Sequence, residues 1–143
     1  LPFKTKEEAI TLASIVEKET AIAAERTRVS AVYINRLRKG MLLQADPTVA
    51  YGRYGGQYAD KPILRSDLKA NTPYNTYLHA GLPPGPICNP GRASIEATLN
   101  PLSTDELFFV ADGKGGHIFA RTHAEHERNV AAYRRWQREQ GLR

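Results

Sequence analysis

The sequence predicts an α+β fold. Amphipathic helical patterns at both ends, one hairpin signal in the carboxy-terminal third, and a middle rich in glycine and proline carry that prediction. Residues 5–24 have helical spacing, with Leu12, Ile15, Val16, Glu19, Ile22 and Ala23 on one stripe. Thr5 and Glu8 stand at capping-box spacing, and Glu7 and Glu8 suit a first turn, so the helix starts there. A second helix fits residues 25–39, with Val29, Val32, Tyr33 and Leu37 facing inward and Gly40 as its stop.

Seven of the eleven glycines and seven of the nine prolines lie between Gly40 and Gly91, so loops and short elements are expected there. A short helical turn fits Asp46-Pro47-Thr48, with Asp46 as N-cap and Pro47 in the first helical position. Leu82 to Pro86 must be an extended or turning loop, because proline is excluded from helix interiors and central strands. A short helix follows over residues 93–99. The apolar run 107–111 reads as a buried strand, 112–116 as a glycine turn and 117–121 as the returning strand. A basic amphipathic helix over residues 124–140 closes the chain, with Val130, Tyr133 and Trp136 inward. Helices from the two ends therefore pack around a small hairpin and a loop-rich middle, in one domain spanning residues 1–143.

Composition narrows the class. Hydrophobic residues make 41% and charged residues 24%, inside the globular range. Cys88 is the one cysteine, which excludes an internal disulfide and a thiolate metal cage. The net charge of +5 suits a polyanionic partner such as nucleic acid, anionic lipid or cell wall without choosing among them.

Glu19 is the residue out of place. It sits amid the apolar stripe of Leu12, Ile15, Val16 and Ala23, while Glu17 lies nearly opposite and Lys18 is off the stripe. A carboxylate on a buried face costs free energy unless it is paired or protonated. Two readings follow: an ion pair with Arg26 or Arg36, or a desolvated acid tuned to donate a proton near neutral pH.

The neighbours of Glu19 weigh on that choice. Ala13 to Ala21 (ASIVEKETA) resembles the helix of lysozyme-like lytic transglycosylases, whose catalytic glutamate precedes a small hydroxyl residue; Thr20 stands where serine is usual. Ile34-Asn35-Arg36-Leu37, Leu43 to Val49 (LQADPTV), Tyr74-Asn75-Thr76-Tyr77, Gly81 to Ile87 (GLPPGPI) and Phe109 to His117 (FVADGKGGH) extend the match. Across nearly the whole chain the sequence resembles the catalytic domain of the YceG-like endolytic murein transglycosylases. The resemblance implies cleavage of the β-1,4 bond between MurNAc and GlcNAc in peptidoglycan glycan strands, leaving 1,6-anhydro-MurNAc ends. It also implies Glu19 as general acid and then base, with Glu17 the rival, and no metal or other cofactor. The expected place is the bacterial envelope, at the periplasmic face of the inner membrane. A membrane anchor and a small amino-terminal domain are expected upstream, and cell-wall synthases are the candidate protein partners.

Substrate-binding candidates on the matching motifs are Gln44, Asp46, Thr48, Tyr74, Asn75, Tyr77 and His117. Amides and hydroxyls suit sugar hydroxyls and acetamido groups, and tyrosines stack on apolar sugar faces. Asn75 is the foremost of these. The plainer alternatives are that Asp46 is only a cap, that residues 74–77 form a packed turn, and that His117 is a structural strand histidine. Gly113 to Gly116 lacks the ending of a phosphate loop, and no nucleic-acid recognition motif occurs. His123, His126 and Glu127 read as a solvated helix end rather than a zinc site, and Arg134, Arg135 and Arg138 as a solvated face. Rival functions are a catalytically silent peptidoglycan-binding module and a lysozyme-type hydrolase using Asp46 as second carboxylate.

Overall fold

The computed structural model describes residues 1–57 and 62–141. Its α-helices are α1 (Lys6–Glu19), α2 (Arg26–Lys39), α3 (Asp46–Tyr54), α4 (Arg65–Leu68), α5 (Arg92–Leu99) and α6 (His123–Glu139). Strands β1 (Phe108–Ala111) and β2 (His117–Ala120) form an antiparallel hairpin, with Phe108 opposite Ala120 and Ala111 opposite His117. The fold is α+β, as the sequence predicts.

The core lies where α1, α2 and α5 meet, filled by Leu12, Ile15, Val16, Val29, Tyr33 and Ile34, and closed by Leu43, Ala45 and Ile87 from the loop-rich middle. α2 is the spine. From it, the Asn35 amide donates to the carbonyls of Thr104 and Glu106 (both 2.9 Å), and Arg36 donates to the carbonyls of Leu107 (2.7 Å) and Leu42 (2.9 Å). Arg28 adds a bidentate pair with Glu106 at 2.7 and 2.6 Å. These bonds fix the segment entering β1 against the helical layer. α6 packs on both strands, with Trp136 over Gly113 of the turn, whose missing side chain allows the approach: a Cβ there would lie 2.7 Å from the indole ring. The hairpin residues Phe108 to Ala111 are half-buried rather than fully buried, because α6 and α2 cover them only in part.

Helix limits follow local chemistry. The capping box at Thr5 and Glu8 forms as expected, and α2 stops at Gly40 in a left-handed conformation (φ 71°). α1, by contrast, ends at Glu19, five residues before the expected limit at residue 24. Thr20 turns extended (φ −144°, ψ 138°), and its hydroxyl accepts from the Ile22 amide at 3.1 Å. A hydroxyl that bonds nearby backbone competes with helix propagation. Ile22 and Ala23 consequently leave the stripe and are exposed, and a single 3-10 turn (Ala23–Glu25) leads into α2. α3 begins one residue earlier than expected: Ala45 holds the cap position, and Asp46 is already helical.

Candidate active site

Glu19 is the last residue of α1, so its carboxyl lies at the end of the helix that carries partial negative charge. The buried phenol of Tyr33 on α2 donates to Glu19 Oε2 at 2.5 Å. Burial pushes the Glu19 pKa up to about 7; the Tyr33 hydrogen bond opposes that rise, and the nearby charge of Asp46 adds to it. The ion-pair reading does not hold. Arg36 uses its guanidinium on two backbone carbonyls, Arg26 lies near Glu17, and no ion pair among the described residues reaches Glu19. Glu17 points elsewhere, as helical phase predicts. It accepts from the Gly91 amide (2.7 Å) and the Ser94 hydroxyl (2.9 Å) at the start of α5, which hold its carboxyl below the usual range.

Glu19 and Asp46 stand together where two cavities join. One, about 240 Å³, is mainly apolar, with Pro47, Ala50, Tyr51, Ile63 and Ile87 along its walls and Lys18 among its lining residues. The other, about 180 Å³, is polar, with Tyr33, Arg36, Gln44, Tyr77 and His126. Glu19 and Asp46 line both, so the two cavities together read as one cleft with the acid between its parts. Such a cleft offers apolar surface for sugar faces on one side and hydrogen-bonding groups on the other.

The candidate ligands divide. Gln44, Asp46 and Tyr77 line the polar cavity together, and Tyr77 donates to Asp46 Oδ1 at 2.6 Å. Gln44 is exposed and is the one described non-glycine residue with positive φ (51°), a conformation that costs energy outside glycine. Asp46 makes no cap hydrogen bond; its carboxylate belongs to the cleft.

Thr48, Tyr74, Asn75 and His117 line neither cavity. Thr48 is fully buried; its hydroxyl lies 2.6 Å from the Ala45 carbonyl and 2.8 Å from the Thr76 hydroxyl. Asn75 is 1% exposed, donates to the carbonyls of Leu68 (2.9 Å) and Ala70 (2.8 Å), and accepts from the Tyr77 amide (2.9 Å). Its expected foremost place in binding sugar gives way to a place inside the loop, because its hydrogen-bonding groups are already engaged within the protein. Tyr74 packs against Tyr51, with centroids 4.8 Å apart. His117 meets Glu25 through its Nδ1 at 2.7 Å.

Tyr33, Arg36 and His126 join the cleft without having been singled out for it. Tyr33 was readable only as a core residue, although a tyrosine on a buried stripe must find a partner for its hydroxyl. His126 stacks on Phe108 (5.0 Å, 19°), and burial lowers its pKa, with the charge of Arg36 acting the same way. Among the described residues no cluster of three or more His, Cys, Asp or Glu is arranged to hold a metal.

Comparison with known proteins decides the family: residues 1–132 match the YceG-like family. The chain belongs to it. A YceG-like relative from Bacillus subtilis (strain 168), named endolytic murein transglycosylase, is 44% identical over 124 residues, covering 87% of this chain and 34% of that protein. A relative of the same name from Streptococcus pneumoniae (serotype 2, strain D39) is 36% identical over 132 residues, covering 90% of this chain and 24% of its own length. The crystal structure of a YceG-like protein from Listeria monocytogenes superposes with a TM-score of 0.77 at 40% identity, over 85% of this chain and 38% of that one. The YceG-like chain thus spans between a quarter and about a third of the length of these curated relatives.

Proposed function

We propose that this chain is the catalytic domain of an endolytic lytic transglycosylase that cuts the β-1,4 bond between MurNAc and GlcNAc within peptidoglycan strands. One observation carries the proposal: a carboxyl group buried beside Tyr33 and Asp46, its pKa raised to about 7, lining both cavities. A binding groove has no need of a desolvated acid. The relatives named as murein transglycosylases supply the substrate class. The same reading puts the chain at work in the cell envelope, with cell-wall synthases as candidate partners.

The chemistry needs one acid. Glu19 gives its proton to the glycosidic oxygen as the C1–O bond breaks, and the bonding electrons leave with that oxygen. The muramyl 6-hydroxyl then attacks C1 of its own sugar, and its proton passes to the Glu19 carboxylate. The product carries a 1,6-anhydro end, no water is consumed, and Glu19 returns to its starting state. Attack within one sugar has a high effective molarity, so no enzyme nucleophile is required. On this reading Tyr33 orients the carboxyl, while Gln44, Asp46 and Tyr77 bind sugar.

Asp46 beside Glu19 favours one second reading, a hydrolase with two carboxylates that activates water. Mass spectrometry of peptidoglycan fragments separates the two. The proposal expects anhydro-muramyl ends from the native chain and none from Glu19→Gln. Reducing ends would establish the hydrolase instead.

A further inference from the structure

A carboxylate outside the cleft has no part in the chemistry above and yet joins three segments of the fold. Glu25, in the 3-10 turn before α2, accepts at Oε1 from the Thr20 hydroxyl (3.2 Å) and from His117 Nδ1 (2.7 Å), and at Oε2 from the His117 backbone amide (2.8 Å). An ionised carboxylate only accepts, so the imidazole Nδ1 carries the hydrogen in this pair. Burial raises the Glu25 pKa, but the bonds from His117 and Thr20 outweigh it and hold the group below the usual value.

The surroundings are shaped for this carboxylate. A Cβ on Gly116 would lie 2.8 Å from Glu25 Oε2, so the glycine permits the approach. Asp112 Oδ1 accepts from the amides of Lys114 (2.7 Å) and Gly116 (3.0 Å), which folds the turn that delivers His117. At the other end, Thr20 is 4% exposed and stands directly after Glu19. Its hydroxyl, steered by Glu25, accepts from the Ile22 amide where the helix breaks. The bend that ends α1 at the acid is therefore tied to the hairpin through one side chain.

We infer that Glu25 is a positioning residue for the reaction: by holding Thr20 and His117 together it stops α1 at Glu19 and aims that carboxyl into the cleft. His117 then acts through Glu25 rather than by touching sugar. The inference rests on reading Glu19 as the catalytic acid.

The test measures glycan-strand scission and, separately, the Glu19 titration by carboxyl-carbon NMR, in the native chain and in Glu25→Ala, Glu25→Gln, Thr20→Val and the Glu25→Ala/Thr20→Val double variant. A loosened bend misplaces the acid by a fraction of an ångström to about 1 Å, so kcat should fall roughly 10- to 100-fold in Glu25→Ala with KM little changed. The double variant should lose no more than the worse single one. Glu25→Gln keeps the length and an acceptor for Thr20 but turns its NH2 on the His117 amide, and its activity should fall between those of the native chain and Glu25→Ala. Glu19 should titrate lower in Glu25→Ala, towards the ordinary carboxylate range, as its burial relaxes. If Glu25→Ala does not fold, Thr20→Val and Glu25→Gln carry the same comparison. Altered melting temperatures with native kcat and a native Glu19 titration would overturn the inference. A native chain that yields no scission products, in which Glu25→Ala still moves the Glu19 titration, would uphold the positioning and sink the reading of function instead.

Discussion

Around Glu19, burial and the negative charge of Asp46 favour the neutral acid, and the hydrogen bond from Tyr33 works the other way. The balance leaves a pKa of about 7 against an ordinary 4.5. That has a thermodynamic consequence. Below about pH 4.5 the group is protonated in both folded and unfolded chains, and folding is not penalised. As pH rises from there through 7 the unfolded chain ionises first, so the folded chain binds more protons and stability declines. Above 7 the full cost remains, about 3–4 kcal/mol for a shift of this size. Glu19→Gln should therefore stabilise the protein by that amount at pH 8 and hardly at all near pH 4.5, as read from urea denaturation midpoints. Equal effects at both pH values would show that the carboxyl is not desolvated. Glu19 was legible in the sequence because a charged residue on an apolar stripe breaks a periodic pattern. Its partner Tyr33 was not, since a tyrosine on such a stripe satisfies the pattern. Glu25 gave no local signal, because its contacts with His117 span 92 positions.

Elements formed where local rules agreed with one another. α2 follows its periodicity and glycine stop closely, and the hairpin follows its turn. The end of α1 departed from periodicity because the Thr20 hydroxyl offers the backbone another partner, supported by the Glu25 carboxylate five positions further on. The middle segment shows the same limit from the other side. Residue type makes Thr48 and Asn75 candidates for sugar, yet both side chains, with their neighbour Thr76, turn inward to satisfy backbone groups that regular structure leaves unpaired in loops. Residue type alone does not separate these two uses. Asn75→Ala strips two carbonyls and one amide of their partner and should cost about 2–3 kcal/mol in denaturant unfolding, with KM for glycan strands changing less than about threefold. A large rise in KM at unchanged stability would return Asn75 to the binding surface.

In the whole molecule, the helical layer and the loops meet so that two cavities, one mainly apolar and one polar, flank the end of α1 and share Glu19 and Asp46. Neither cavity could be drawn from the sequence, because each gathers residues from segments far apart in the chain. No helix among the described residues is long and apolar enough to cross a membrane. In the function proposed above, cutting depends on the protonated form of one glutamic acid, Glu19, which lines both cavities. The pH dependence of kcat/KM for strand scission is the measurement that reads this dependence. Activity should be level on the acid side and fall tenfold per pH unit above about 7, as Glu19 loses its proton. Activity that instead rises with pH through the ordinary carboxylate range near 4.5 and runs level across 7 would contradict the proposal, since the ionised form would then be the working one.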